Sequence, residues 1–256
     1  MKLFIIAILI IFISPILLIV IEAIIAPIGA KNDYKNPDRQ PLFYENTNPA
    51  LTYLVLGDST AAGVGADYDK GIAVSTAKYL SQNNNLTMYN FAVSGARVND
   101  VLIDQIQYLK KQNFKPDIIL ISIGGNDVTH LTSLESITDD MQKIINDLIA
   151  INCNAKIILT GSPNVGTSRR FAQPLRWLVE WRSSIVNDTF IKIIKQNHVT
   201  LAPIFKDTTE LFKNNPNLFY EDKFHPNAEG YAVWTKILNQ GIDDAVKNQP
   251  GHCGQK

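Results

Sequence analysis

The sequence predicts an α/β protein, a three-layer α/β/α sandwich around a mostly parallel central sheet. Three observations predict it. From residue 51 to about 245, short apolar runs that read as buried strands alternate with helix-like patterns. That rhythm places helices on both faces of a parallel sheet, with right-handed crossovers. The chain has 256 residues and no internal repeat, enough for one sizeable domain and an appendage.

The appendage comes first. Residues 3–21 contain no charged residue and are rich in Ile and Leu; nineteen residues make about 28 Å of helix, close to the hydrocarbon thickness of a bilayer. Segment 1–26 is therefore read as an N-terminal membrane helix, an uncleaved transmembrane anchor. The alternatives are a cleaved signal and a buried core helix. A signal's apolar region usually runs about 7–15 residues, and Ile28-Gly29-Ala30 lacks the small residue three places before a cut. Lys2 favours a cytoplasmic N-terminus, whereas Lys31, Lys35 and Arg39 argue the other way. The expectation is an anchored protein with its main domain outside the cytoplasm, or a secreted one if the segment is removed.

Residues 27–50 are polar, with Pro37, Pro41 and Pro49, and read as a linker or an extended strap over the domain surface. The domain follows at 51–245. Strands are expected at 53–56, 87–92, 117–123, 156–160 and 199–202, and helices near 72–82, 98–111, 135–150, 175–197 and 228–245. Residues 246–256 read as a tail that frays from Gly251 onward. Cys153 and Cys253 have no metal-ligand spacing; they are read as two unrelated thiols, with a disulfide as the alternative.

Chemistry concentrates at strand exits. Leu54-Val55-Leu56 ends at Gly57, which permits a sharp exit, so Ser59 falls in the first loop at the carboxyl end of the strand. A serine hydroxyl needs a positioned base, and Asp222-Lys223-Phe224-His225-Pro226 supplies a candidate far downstream. Asp222 and His225 can bend onto one side of a loop, so that the carboxylate holds one ring nitrogen and the other faces the serine. The bland alternative makes Ser59 a turn residue and lets Asp222 and His225 cap the helix starting near Asn227. His130, His198 and His252 lack such a context. Between these blocks stand Ser94-Gly95-Ala96-Arg97 and Gly124-Gly125-Asn126-Asp127. Gly95 and Asn126 could each be simple turn residues. Asp58 and Asp127 read as loop-organising acceptors, with Asp127 a rival to Asp222.

Ser, Gly, Asn and His in this order resemble the four signature blocks of the SGNH (GDSL-type) serine hydrolases, over roughly residues 51 to 240. The resemblance implies a flavodoxin-like sheet and esterase activity. It implies a triad of Ser59, His225 and Asp222, and an oxyanion hole from the backbone amides of Ser59 and Gly95 and the side chain of Asn126. The α/β-hydrolase elbow G-x-S-x-G is absent. No cofactor or metal is implied, and no H-E-x-x-H spacing exists. Lys plus Arg and Asp plus Glu each number 24, which gives no reason to expect a nucleic-acid partner.

The expected reaction is hydrolysis of carboxylic esters through an acyl-serine, on lipid or other acyl esters in the manner of a lysophospholipase or thioesterase. Alternatives on the same fold are an O-acetyl glycan deacetylase and an acyltransferase; from a different class, a non-catalytic binding module. The segment 163–181 carries Arg169, Arg170, Arg176, Trp177 and Trp181. It reads either as an amphipathic cap near the substrate or membrane, or as a helix packing its aromatic face on the sheet.

Overall fold

A computed structural model describes residues 34–253, together with Ser14, residues 16–22 and Ile24. Residues 3–13, most of the expected membrane helix, lie outside the described residues. Residues 16–22 are helical. Among the described residues no helix is long and apolar enough to cross a membrane.

Among the described residues six strands form one sheet: β1 (Leu42–Tyr44), β2 (Ala50–Gly57), β3 (Asn85–Asn90), β4 (Ile118–Ser122), β5 (Lys156–Leu159) and β6 (Thr200–Leu201). Their spatial order is β1-β3-β2-β4-β5-β6, and every pair is parallel except β1 with β3. The five parallel strands thus have the flavodoxin-like order, with the chain reversing direction across the sheet on either side of β2. Ligands of such sheets bind at that switch point, beyond the carboxyl ends of the strands.

Each central strand divides its side chains between two cores, because successive residues point to opposite faces. Leu54, Leu56, Ile119, Ile121, Ile157 and Leu159 face the helices 98–110, Leu134–Ile151 and Leu175–Asn197. Tyr53, Val55, Ile118, Leu120 and Ile158 face Ile72–Leu80, Ile204–Asn214 and Ala228–Asn248. Burial on both faces is why these strands read as unbroken apolar runs.

Three expectations need correction. The strap is more than a linker, since Leu42–Tyr44 pairs antiparallel with β3 in the register Phe43↔Thr87 and extends the sheet. A three-residue edge strand after Pro41 carries too short a pattern to read. The amphipathic helix Ile204–Asn214 and the short helices Ser59–Ala62 and Gly125–Thr129 stand where the pattern predicts no helix. Lastly, the cysteines are not unrelated thiols. The final helix continues to Asn248, and Cys253 forms a disulfide with Cys153, with Cα atoms 4.9 Å apart. The His252 N–H donates to the Cys153 carbonyl at 2.8 Å, and the Gln249 side chain accepts from the Ile157 N–H at 3.1 Å. The tail through Cys253 is fastened at the amino end of β5, opposite the strand exits.

Candidate active site

Ser59 is placed by the way β2 ends. Gly57 has φ +138°, and a Cβ there would lie 1.9 Å from the Ser122 carbonyl oxygen, so only glycine allows β2 and β4 to approach this closely. The fully buried Gln105 side chain clamps the same residue, accepting from the Gly57 N–H at 2.9 Å and donating to its carbonyl at 2.8 Å. The Asp58 N–H donates to Ser122, and the Asp58 carboxylate caps the helix Ser59–Ala62 through the Thr60 N–H at 2.9 Å and hydroxyl at 2.8 Å. Burial pushes the Asp58 carboxyl up to about 6, against the pull of the Thr60 hydrogen bonds.

Opposite stands the loop 219–226, closed by a bridge between Phe219 and Pro226 and by the Tyr220 N–H donating to the His225 carbonyl at 2.8 Å. Lys223 turns it with φ +59°. His225 Nε2 lies 2.8 Å from Ser59 Oγ, and His225 Nδ1 lies 2.5 Å from Asp222 Oδ2. Asp222 Oδ1 accepts from the Phe224 and His225 N–H groups at 2.9 and 3.0 Å. Burial alone would raise the Asp222 carboxyl; the His225 hydrogen bond and charge, the Phe224 N–H and the Tyr34 hydroxyl outweigh it and hold it well below the usual carboxylate range. The capping alternative fails here, because Asn227 caps the helix Ala228–Asn248 through the Glu229 and Gly230 N–H groups. Asp127 is no rival in space. It is buried, and its Oδ2 accepts from the Val98 N–H at 3.1 Å at the start of helix 98–110.

Asn126 lines the same cavity as Ser59 and His225. Its side-chain amide donates to the Ala96 carbonyl at 2.9 Å, which leaves its second N–H for a ligand. Gly95 does not line that cavity. It sits one residue before Ala96 in a turn closed by the Ala96 N–H on Val93, with φ +84° and no atom within 4 Å of where a Cβ would stand. The other histidines lie elsewhere: His130 contacts the Asn126 carbonyl, His198 ends the helix Leu175–Asn197, and His252 lies in the tail.

The cavity beside Ser59 measures about 50 Å³, and its lining includes the apolar Val165, Phe212, Phe219, Phe224 and Trp234 together with the polar Asn164, Thr167 and Thr208. The segment 163–181 contributes to it in part. Ser168 Oγ and the Arg169 N–H both donate to the Lys223 carbonyl, and Arg170 lies over the Phe224 ring at 5.4 Å. Trp177 and Trp181, 64% and 65% exposed, face solvent, so the reading that packs them on the sheet is set aside. Among the described residues no cluster of His, Cys, Asp and Glu could hold a metal ion.

Two contacts had no signature in the sequence. The Tyr34 hydroxyl donates to Asp222 Oδ2 at 2.7 Å, and Asn36 Oδ1 accepts from the Ser94 N–H at 2.7 Å. Both residues belong to the polar strap.

Residues 55–233 match a GDSL-like lipase/acylhydrolase family. A GDSL-like esterase of Mycobacterium tuberculosis is 24% identical over 198 residues, covering 75% of this chain and 62% of that protein. An arylesterase of Vibrio mimicus is 26% identical over 191 residues, covering 74% and 86%. Among solved structures, the psychrotrophic esterase EstA from Pseudoalteromonas superposes with a TM-score of 0.61 at 19% identity, covering 77% of this chain and 99% of that one. Phospholipase A1 from Streptomyces albidoflavus gives 0.59 at 20%, covering 75% and 99%. These structures share the fold.

Proposed function

The chain belongs to the GDSL-like lipase/acylhydrolase family, which makes it an SGNH-type carboxylic ester hydrolase, and we propose that it cleaves its esters through an acyl-Ser59 intermediate. Ser59 Oγ attacks the ester carbonyl while His225 Nε2 takes its proton. Asp222 holds the imidazole by Nδ1 and stabilises the imidazolium. The carbonyl oxygen becomes an oxyanion facing the N–H groups of Ser59 and the Asn126 side chain, which line the cavity, and the third donor is the N–H of Gly95, whose turn stands outside the cavity and is tied to Asn126 through Ala96. Collapse breaks the bond to the leaving oxygen, which takes the proton from His225. Water, deprotonated by His225, then attacks the acyl carbon and releases the acid and Ser59. The single observation that carries this reading is one imidazole bridging Ser59 and Asp222, at 2.8 and 2.5 Å. A non-catalytic binding module would have no use for that relay.

The size of the cavity bears on substrate. About 50 Å³ is a third of the roughly 150 Å³ that accommodates a benzene-sized ligand. A cavity of this size holds a short acyl group whole, which favours acetyl-type esters, including those of glycans, over long lipid chains. Transfer of the acyl group to a sugar or lipid acceptor would use the same residues. A series of p-nitrophenyl esters from acetate to laurate, with wild type and Ser59→Ala and with acceptors present, tests both points. Turnover should fall beyond butyrate and vanish in Ser59→Ala. A preference for laurate would return the lipid reading.

The domain is further proposed to work outside the cytoplasm, tethered by segment 1–26 or released from it. The charge-free run 3–21 supports this, as does the Cys153–Cys253 pair, since disulfides persist in oxidising compartments. Intact mass of the mature chain separates the two outcomes: an anchor keeps residue 1 or 2, and a cleaved signal leaves a chain beginning near residue 31.

A further inference from the structure

The strap meets the site at both of its ends. Tyr34 lies against the base, its hydroxyl 2.7 Å from Asp222 Oδ2 and its ring edge-on to the His225 imidazole, with centroids 5.2 Å apart. Two residues on, Asn36 Oδ1 accepts from the Ser94 N–H at 2.7 Å, in the residue next to Gly95. The turn 94–96 is thereby held from two directions, by Asn36 at Ser94 and by Asn126 at Ala96. Arg39 fixes the next stretch of the strap, bonding Asp104 with its guanidinium 4.7 Å from the Tyr108 ring centroid. Beyond it β1 joins the sheet edge.

We propose that the strap is a positioning element of the catalytic site, in which Tyr34 orients Asp222 and Asn36 orients the Gly95 turn. One peptide then sets the distance between the base and the oxyanion donors. This rests on the triad reading above and adds two residues to it. Asp222 Oδ2 faces His225, so a donor on that same oxygen fixes the rotation of the carboxylate about its own axis; the Oδ1 contacts to backbone N–H groups fix the other edge. Burial, the Asp222 hydrogen bond and the Asp222 charge push the Tyr34 phenol well above its ordinary value, so it remains a protonated donor throughout the working range. The hydroxyl also shares the Asp222 charge. Its loss concentrates that charge on the oxygen facing His225, which favours the imidazolium.

The test measures kcat, KM and the acidic limb of kcat/KM on p-nitrophenyl acetate, with thermal melts alongside. Tyr34→Phe keeps the ring and removes the donor. It should lower kcat on the order of tenfold at unchanged KM, because it disturbs geometry of the chemical step and not binding. Its acidic limb should move to higher pH by roughly half a unit. The other titratable groups near the pair, Asp58, Arg170, Tyr220 and Tyr231, are unchanged by the substitution. Asn36→Ala should lower kcat about threefold to tenfold without moving the limb, and Asn36→Asp, which keeps an acceptor for the Ser94 N–H, should restore most of it. Asn46→Ala breaks contacts of the same segment to the Ser81 and Asn84 carbonyls, away from the site, and should leave kcat at the wild-type value. Wild-type kcat and limb in Tyr34→Phe, with Ser59→Ala inactive, would overturn the strap's role while leaving the triad standing. So would an Asn46→Ala variant that reproduces the Tyr34→Phe loss, since that marks general loosening. Full turnover in Ser59→Ala would overturn the triad reading and the strap's role with it.

Discussion

The two sides of the site are built by different means. Ser59, Gly95 and Asn126 follow the carboxyl ends of three neighbouring parallel strands, β2, β3 and β4. Hydrogen bonds to the strand ends set their positions: the Asp58 N–H on the Ser122 carbonyl, the Val93 N–H on the Gly57 carbonyl, and the buried Gln105 side-chain amide on both edges of Gly57. Asp222 and His225 stand on a loop between a single turn, Pro216–Leu218, and the last helix. Their outer contacts come from the strap, whose Tyr34 is 188 residues away in sequence, and from the segment holding Ser168 and Arg169. The nucleophile side thus inherits the rigidity of the sheet, while the base side rests on the local backbone bonds of one loop and on a few contacts from distant segments. Damage to the strand exits that carry the first should cost folding, and damage to the loop that carries the second should cost catalysis with the fold intact.

The largest effect should come from the base side. Asp222→Asn removes the acceptor that sets the His225 tautomer, and in a well-studied triad the equivalent change costs about 10⁴ in rate. Circular dichroism and a thermal melt should show the fold retained. If Asp222 merely shaped the loop, Asn would substitute well and turnover would stay near normal.

Asn126→Ala should cost less, on the order of 10²–10³ in kcat, because the two backbone donors remain. Steady-state kinetics beside Asp222→Asn would rank the two. A larger loss in Asn126→Ala would mean that its bond to Ala96 carries the turn as well as the oxyanion.

On the nucleophile side the cost should appear as stability. Gly57→Ala places a methyl 1.9 Å from the Ser122 carbonyl at φ +138°, so strain and displacement should remove at least about 3 kcal/mol. Chemical denaturation of the soluble fraction measures it. A native melt would show that β2 and β4 separate easily, contrary to the rigidity claimed for this side.

The smallest effect concerns pH, and its sign differs between the sides. The folded Asp58 carboxyl, raised to about 6, holds its proton longer than the unfolded chain does. Its contribution to stability therefore falls as pH rises from about 4 to about 6. Asp222 is depressed, so its contribution is present above the ordinary carboxylate range and lost as pH falls through and below it. Asp58→Asn keeps a residue that caps equally well. It should gain up to about 3 kcal/mol over wild type at pH 8 and nothing at pH 4. Thermal melts at the two values check this. Equal gains at both would place the benefit in packing instead of charge.

The same contrast decides what the sequence discloses. Buried parallel strands announce themselves as unbroken apolar runs, so their exits at Gly57 and after Ser122 could be placed, and the residues beyond them with it. The helix Leu175–Asn197 begins and ends where its pattern does. The pairing of Tyr34 with Asp222 has no local pattern, because a hydroxyl in a polar strap looks like any solvated tyrosine. Gln105 reads as one polar residue in an amphipathic helix, although it is wholly buried at Gly57. The helix Ile204–Asn214 hid behind its polar face of Lys206, Asp207 and Glu210. Cys153 and Cys253 meet because the tail turns back after the last helix, which spacing alone does not disclose.

The role of Ser59 as the nucleophile activated by His225 is checked by treating the protein with a fluorophosphonate and locating the adduct by peptide mass spectrometry. A serine whose proton is accepted at 2.8 Å should react alone among the serines of the chain. The expected result is one adduct, on the peptide containing Ser59, absent in Ser59→Ala and much slowed in His225→Ala. Equal labelling of wild type and Ser59→Ala, or an adduct on another residue, would remove Ser59 as the nucleophile.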